Sequence, residues 1–362
     1  MSKFIRASIQ KMNGYSWGEQ PGKIDNLIKL NTNENAYPAS PEVTTALDNL
    51  NLEDLRTYPA PLADELRAEI AHIHGISLEN IVLTNGGDEG LRLAMTTFVN
   101  PGDSFCFAHP SYSLYPVLAH IQDAMNCPIP YSESWEIPNQ FSSKISSYDA
   151  KLTCLVNPHA PSGTLYTVSE ISKLADHIPG VLLIDEAYAD FVDPELNYQS
   201  ASLLENHDNI LILRSFSKGY SLAGLRLGYL LGSNPLITPI LNKTRDSYNV
   251  GSIQQKIGIA AITDQDYAQS IWSRIRDNRT HLQKQLNALG LTSPPSQSNF
   301  LLAHVNEDFG LTAKKLYQSL KKMDIYVRYF DDTYLKDHLR ITVGTQEQNT
   351  ALINAIEQVL HV

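Results

Sequence analysis

IVLTNGGDEGLRLAMTTFV, residues 81 to 99, changes its hydrophobic period halfway along. IVLT reads as a strand, NGGDE as a turn and GLRLAMTTFV as a helix. The alternation repeats further on. SFCFA (104–108) and KLTCLV (151–156) read as strands, with a helix, SYSLYPVLAHIQ (111–122), between them. Thr167 and Glu170 make a capping box that opens TVSEISKLADHI (167–178), and VLLID (181–185) and ILILRSF (210–216) follow as short apolar runs. Short apolar strands separated by helices imply an α/β fold, a mainly parallel sheet with helices on both faces.

The pattern changes after about residue 250. A long helical stretch runs from IQQKIGIAAI (253–262) to HLQKQLNAL (281–289). It leads to SPPSQSNFLLAHV, a helix TAKKLYQSLKKM (312–323), strands IYVRYF (325–330) and LRITVG (339–344), and a last helix boxed by Thr345 and Gln348. This reads as a compact α+β unit. Residues 1 to 35 are irregular and rich in turn formers (NGYSWGEQPGK, 13–23), so they read as an arm rather than a core element; Ser40 before Pro41 starts the first helix of the main unit. The expected organisation is an N-terminal arm (1–35), a large domain (36–250) and a smaller C-terminal domain (251–362).

Composition narrows the function. Of 362 residues, 43% are hydrophobic and 19% charged, an ordinary globular mix. The net charge of −11 provides no basic face for nucleic acid or an anionic membrane, so any phosphate must be held locally. Cys106, Cys127 and Cys154 form neither a disulfide framework nor paired metal spacing and read as buried small hydrophobes, and no metal site is expected. The start, MSKFIRASIQKMNGYSW, lacks the apolar core of a signal peptide, which makes the cytoplasm the expected compartment.

Ligands of open α/β sheets bind beyond the carboxyl ends of the strands. After IVLT come Gly86 and Gly87 at a helix start, where backbone amides and the helix dipole can hold an anion, although a plain glycine turn reads the same way. After KLTCLV comes NPHAPSG (157–163), whose prolines and glycine aim Asn157. After VLLI comes Asp185, a carboxylate that needs a partner unless it merely caps a helix, with Tyr188 close behind; after ILILR come Ser215, Ser217 and Lys218. One ligand uses all of these. Pyridoxal 5'-phosphate has an aldehyde for a lysine, a pyridine nitrogen for a carboxylate, a ring hydroxyl for amide and phenol donors, and a phosphate. On this reading Lys218 binds the aldehyde, and Ser215, Ser217 and Arg226 hold the phosphate beside the amides of Gly87 and Asp88.

At this point the chain resembles a known family, the fold-type I pyridoxal-phosphate aminotransferases, and within it the histidinol-phosphate aminotransferases. The resemblance runs through KLNTNENAYPASP (29–41), RTYPAPLADELR (56–67), NGGDE, PSYSLY (110–115), NPHAPSG, DEAYADF (185–191), RSFSKGYSLAGLRLGY (214–229) and LRITVGT (339–345). It implies a large domain with a seven-stranded, mainly parallel sheet. It implies that Lys218 carries the cofactor and then acts as the base at the substrate's Cα. Asp185 would pair with the pyridine nitrogen, Asn157 and Tyr188 with the ring oxygen, and Tyr112 with the ring face. Tyr58 would reach the cofactor phosphate of a neighbouring subunit, which makes a homodimer part of the site. Arg340, Arg328, Tyr15 and Asn33 would meet the substrate.

Two positions depart from the family pattern as we know it: Ala36 stands where proline is expected, and His159 where asparagine is. The implied reaction is amino transfer between L-histidinol phosphate and 2-oxoglutarate, giving imidazole acetol phosphate and L-glutamate, in histidine biosynthesis. Three other readings stand beside it. One is transamination of aromatic amino acids, another a threonine-phosphate decarboxylase-like lyase, and the third a non-catalytic cofactor-binding module; a requirement for 2-oxoglutarate separates the first reading from the lyase.

Overall fold

The structure, a computed structural model, describes residues 3–22, 26–138, 140–306 and 310–360. Its strands in chain order are β1 (Ile28–Lys29), β2 (Ile81–Thr84), β3 (Ser104–His109), β4 (Met125–Pro130), β5 (Leu152–Val156), β6 (Val181–Asp185), β7 (Ile210–Ser215), β8 (Gly228–Gly232), β9 (Phe300–His304), β10 (Ile325–Tyr326), β11 (Arg328–Tyr329) and β12 (His338–Thr342). Seven of them form the main sheet in the order β2-β8-β7-β6-β5-β3-β4. Neighbours pair in parallel from β7 to β4, whereas β8 runs antiparallel to both β2 and β7.

Apart from the exposed edge strand β4, the strands of this sheet are buried on both faces, which is why they read as continuous apolar runs rather than alternating ones. Successive side chains still divide between the faces. Leu83, Cys106, Leu155, Ile184 and Ile212 pack into one core, and Val82, Phe105, Cys154, Leu183 and Leu211 into the other. All three cysteines are free and buried. The capping residues act as their spacing predicts: Ser40 Oγ accepts from the Glu42 amide (3.0 Å), and Thr167 with Glu170 and Thr345 with Gln348 make reciprocal bonds.

A second, three-stranded antiparallel sheet, β11-β12-β9, shares a core with helices Gln265–Ala288, Ala313–Lys322 and Gln346–Leu360, built on Leu282, Leu301, Leu316, Leu339 and Ile356. Here the structure corrects three readings. IYVRYF is two short strands, because β10 pairs in parallel with β1 while β11 pairs antiparallel with β12. The end of the presumed arm is therefore not peripheral: β1 is tied to β10, and Leu30, Asn31 and Asn33 are buried. The helix expected over 111–122 starts only at Leu114. Two strands lack a clear sequence signal: β4, MNCPIP, carries two prolines and lies at the sheet edge where proline is tolerated, and β8, GYLLG, is short and glycine-bounded.

Candidate active site

The main sheet brings its functional segments to one edge. β2, β3, β5, β6 and β7 all end there, and antiparallel β8 begins there. Gly228 at the start of β8 is the register partner of both Thr84 and Ser215, which sets Arg226 beside the turns that follow β2 and β7. A cavity of about 890 Å³ opens over this edge. Its lining includes Gly87, Asp88, Tyr112, Asp185, Tyr188, Ser215, Ser217, Lys218 and Arg226 from the main sheet's loops, with Tyr15, Asn33, Arg328 and Arg340 from the other side.

Lys218 Nζ donates to the carbonyl of Thr32 (3.1 Å). Burial, reinforced by the charge of Arg340, pushes its amine down to about 8, with Glu34 pulling the other way. Asp185 closes the deep end of the cavity. Tyr115 Oη donates to Asp185 Oδ2 (2.9 Å) and the Ala187 amide donates to Oδ1 (3.2 Å). Burial pushes this carboxyl up to about 6; the two donors oppose that rise and the charges of Asp88 and Glu186 add to it. Tyr188 accepts from Asn33 Nδ2 (3.0 Å), which leaves its own hydroxyl proton to give.

At the other end, the helix Gly87–Phe98 opens without a side-chain cap, so its first amides and positive pole are available to an anion. Arg226 lies across this turn, paired with Asp88 Oδ2 (3.2 Å), and its Nη1 donates to Ser217 Oγ (3.5 Å). The Ser217 amide donates to Ser215 Oγ (3.1 Å). Gly86 has φ 78°, and a Cβ there would stand 2.6 Å from Arg226 Nη2, so only glycine lets the turn lie against the guanidinium. Tyr112 Oη donates to Asp88 Oδ1 (3.0 Å), and its ring takes the edge of Tyr15 at 5.7 Å between centroids.

The small sheet contributes two arginines. Arg328 and Arg340 are directly opposed across β11 and β12, a like-charge pairing that is unfavourable unless something negative lies between or over them. Both guanidinium groups lie over the ring of Phe330, at 5.1 and 5.5 Å. Arg340 is half-buried; its Nη2 donates to the carbonyl of Asn31 (3.0 Å), while its Nε is buried and without a partner among the described residues. A guanidinium with a buried, uncommitted N–H facing a cavity is suited to an anion.

Three expected site residues lie differently. Asn157 does not line the cavity: its Nδ2 donates to the Tyr166 carbonyl (3.0 Å) and Tyr198 Oη (2.8 Å), and its Oδ1 accepts from the Tyr166 amide (2.8 Å), so the amide locks its own loop. Asn33 lines the cavity, but its side chain is committed to Tyr188 and Thr342 rather than left for a substrate. Tyr58 lies outside the cavity, 79% exposed and stacked on Tyr248 at 4.4 Å between centroids. His159 is no base, because it is fully buried between Ser162 Oγ (2.7 Å) and the Pro110 carbonyl (3.0 Å), and burial pushes its imidazole down to about 3.

Several residues around the site carry no signal of their own in the sequence. Glu186 accepts from Arg214 (3.0 Å) and from Tyr198 Oη (2.6 Å), and Arg214 also pairs with Asp190, a buried network beneath the Asp185 loop. Tyr115 had one available clue, its spacing of three from Tyr112 at a helix start. Phe330 and the carbonyl of Thr32 had none.

Comparison with known proteins agrees with this geometry. The family model "Aminotransferase class I and II" matches residues 25–356. The chain is 39% identical over 360 residues to histidinol-phosphate aminotransferase 1 of Trichormus variabilis, covering 99% of this chain and 100% of that protein. It is 38% identical to the Nostoc sp. protein of the same description, covering 99% of each. Among solved structures, histidinol-phosphate aminotransferase from Sinorhizobium meliloti in complex with pyridoxal-5'-phosphate superposes with a TM-score of 0.89 at 23% identity, covering 100% of this chain and 98% of that one, a likeness of fold. With a mainly parallel seven-stranded sheet, a lysine in the cavity at its edge and a family match over nearly its whole length, this chain belongs to the class I and II aminotransferases.

Proposed function

We propose that this chain transfers the amino group of L-histidinol phosphate to 2-oxoglutarate, giving imidazole acetol phosphate and L-glutamate, with pyridoxal 5'-phosphate as its cofactor. The observation that carries the substrate assignment is the opposed pair Arg328 and Arg340, inside the same cavity as Lys218, with Arg340 Nε buried and unpartnered. Two guanidinium groups suit a phosphate dianion, and in the second half-reaction they suit the distal carboxylate of 2-oxoglutarate or glutamate.

The residues fit the cofactor at each of its polar ends. When bound, pyridoxal phosphate supplies an aldehyde that condenses with amines and a pyridinium ring that draws electrons from the bond being broken. Lys218 Nζ, held low enough in basicity to be partly neutral near pH 8, is the amine that would anchor the cofactor and the base that would take the proton from the substrate's Cα. Asp185 would pair with the ring nitrogen, and Tyr188 would donate to the ring oxygen. Ser215, Ser217, Arg226 and the amides of Gly87 and Asp88 would hold the phosphate. Asn157 keeps rigid the loop whose Ala160 and Pro161 line the cavity. Tyr112 and Tyr15 form the aromatic wall, and Asn33 holds Tyr188 in place. Both substrates use the same cavity in turn, so the kinetics are ping-pong.

Exposed Tyr58 has its place in a homodimer, where it meets the cofactor phosphate of the neighbouring subunit; its exposure next to exposed Leu52 and Leu55 supports that reading. The division into arm, large domain (36–250) and small domain (251–362) is carried forward with one change: residues 28–35 go with the small domain, where β1 pairs with β10 and Leu30 joins the core.

The test is the absorbance of the purified protein loaded with pyridoxal phosphate. L-histidinol phosphate shifts the cofactor band and 2-oxoglutarate restores it. A band that does not respond to L-histidinol phosphate but responds to phenylalanine or tyrosine transfers the assignment to aromatic amino acids. Turnover without a keto acid points to the lyase.

A further inference from the structure

We propose that Tyr115 is a positioning residue that acts on the cofactor's ring nitrogen through Asp185, keeping that carboxylate ionised and aimed. The inference rests on the assignment of Asp185 made above. Tyr115 is fully buried in the first turn of the helix Leu114–Gln122, and its hydroxyl donates to Asp185 Oδ2 at 2.9 Å. Its ring packs against those of Phe105 (6.3 Å), Phe107 (5.7 Å) and Tyr112 (5.7 Å between centroids), contacts that hold the ring and so the direction of its hydroxyl. The same residue thereby braces Tyr112, the aromatic wall of the cavity, and the carboxylate at its deep end.

The chemistry of that bond is directional. The groups near enough to act electrostatically on Asp185 include Tyr115, Tyr188, Cys154, Asp88 and Glu186, and none of these is a cation. Burial and the two neighbouring carboxylates all favour the neutral acid. Against them, among the described residues, stand two donors, the Tyr115 hydroxyl and the Ala187 amide. A proton shared between Asp185 and a ring nitrogen sits on the nitrogen only if the carboxylate is the weaker base. The Tyr115 hydroxyl, which burial and the Asp185 charge hold protonated far above neutral pH, is a permanent donor that lowers the basicity of Asp185. A tyrosine that merely filled space would make the same ring contacts without this effect.

The experiment compares the wild type, Tyr115→Phe and Asp185→Asn, each checked for folding by its thermal melt. In the cofactor-free protein, 13C NMR of labelled aspartate follows Asp185 as the carboxyl signal missing from Asp185→Asn. In the protein loaded with pyridoxal phosphate labelled with 15N in its ring, the nitrogen shift reports its protonation. Removing one hydrogen bond to a charged group should move the Asp185 titration in Tyr115→Phe up by about one to two pH units, and the 15N signal should move toward the unprotonated position. If both signals stay at their wild-type values in Tyr115→Phe while Asp185→Asn changes the 15N shift, Asp185 keeps its role and Tyr115 is only packing. If Asp185→Asn itself leaves the 15N shift unchanged, the Asp185 assignment and the inference built on it both fall.

Discussion

Replacing Arg340 by glutamine tests the anion site where the structure is most specific. Arg340 is half-buried, gives Nη2 to the Asn31 carbonyl and has a buried Nε without a partner among the described residues, and its guanidinium lies over Phe300 (5.4 Å) as well as Phe330. Truncating one side of a buried, hydrogen-bonded charge pair costs roughly 2–5 kcal/mol. Arg340 is only half-buried and Arg328, opposite, retains part of the attraction, so the loss belongs toward the lower part of that range. At about 3 kcal/mol, kcat/KM for L-histidinol phosphate falls by about a hundredfold, since 1.4 kcal/mol is tenfold. A second consequence is independent of the substrate. The charge of Arg340 is the second cause, after burial, of the lowered Lys218 amine, so removing it raises that titration. The assays are steady-state kinetics in both directions and the pH dependence of cofactor loading. A folded Arg340→Gln protein whose kcat/KM stays within about twofold of the wild type would show that the anion binds elsewhere.

Lys218→Ala abolishes turnover while leaving the melting temperature near that of the wild type, because no other amine reaches this part of the cavity among the described residues; residual transamination above background overturns the assignment. Loading of the cofactor-free protein with pyridoxal phosphate accelerates as pH rises through about 8, because the neutral amine is the reactive form and Lys218 is depressed to that value. Stopped-flow absorbance that instead climbs only toward the ordinary lysine value of about 10.4 refutes the burial argument. Gly219→Ala places a Cβ 2.1 Å from Asp190 Oδ2, and Asp190 is buried and paired with Arg214, so it has nowhere to retreat. The expected cost is about 1–3 kcal/mol of stability, read as a lower denaturant midpoint, and an unchanged midpoint contradicts it.

Much of the fold is legible locally. Apolar runs buried on both faces, helix caps such as Thr167 with Glu170, and glycine turns after strands follow rules that act within a few residues, so the α/β class and the strand-end position of Asp185 and Lys218 come from the chain's own order. β4 escapes because edge strands tolerate the proline that a local reading takes as a breaker. β8 escapes because its direction depends on pairing with β2 and β7 rather than on any feature of GYLLG.

The site divides in the same way. Residue types and their order after each strand name Lys218, Asp185, Tyr188, Ser215, Ser217 and Arg226, because a lysine, a carboxylate and hydroxyls at strand ends are chemically suggestive wherever the sheet places them. Which atoms remain free is another matter. Asn157 turns its amide to Tyr166 and Tyr198, Asn33 gives its amide to Tyr188, and Tyr115 reaches Asp185 across 70 residues of chain. The opposition of Arg328 and Arg340 arises only from the register of β11 on β12. A hydrogen bond or a cross-strand contact depends on the distance and direction between groups far apart in sequence. Local patterning specifies the elements, and packing alone sets how their side chains meet.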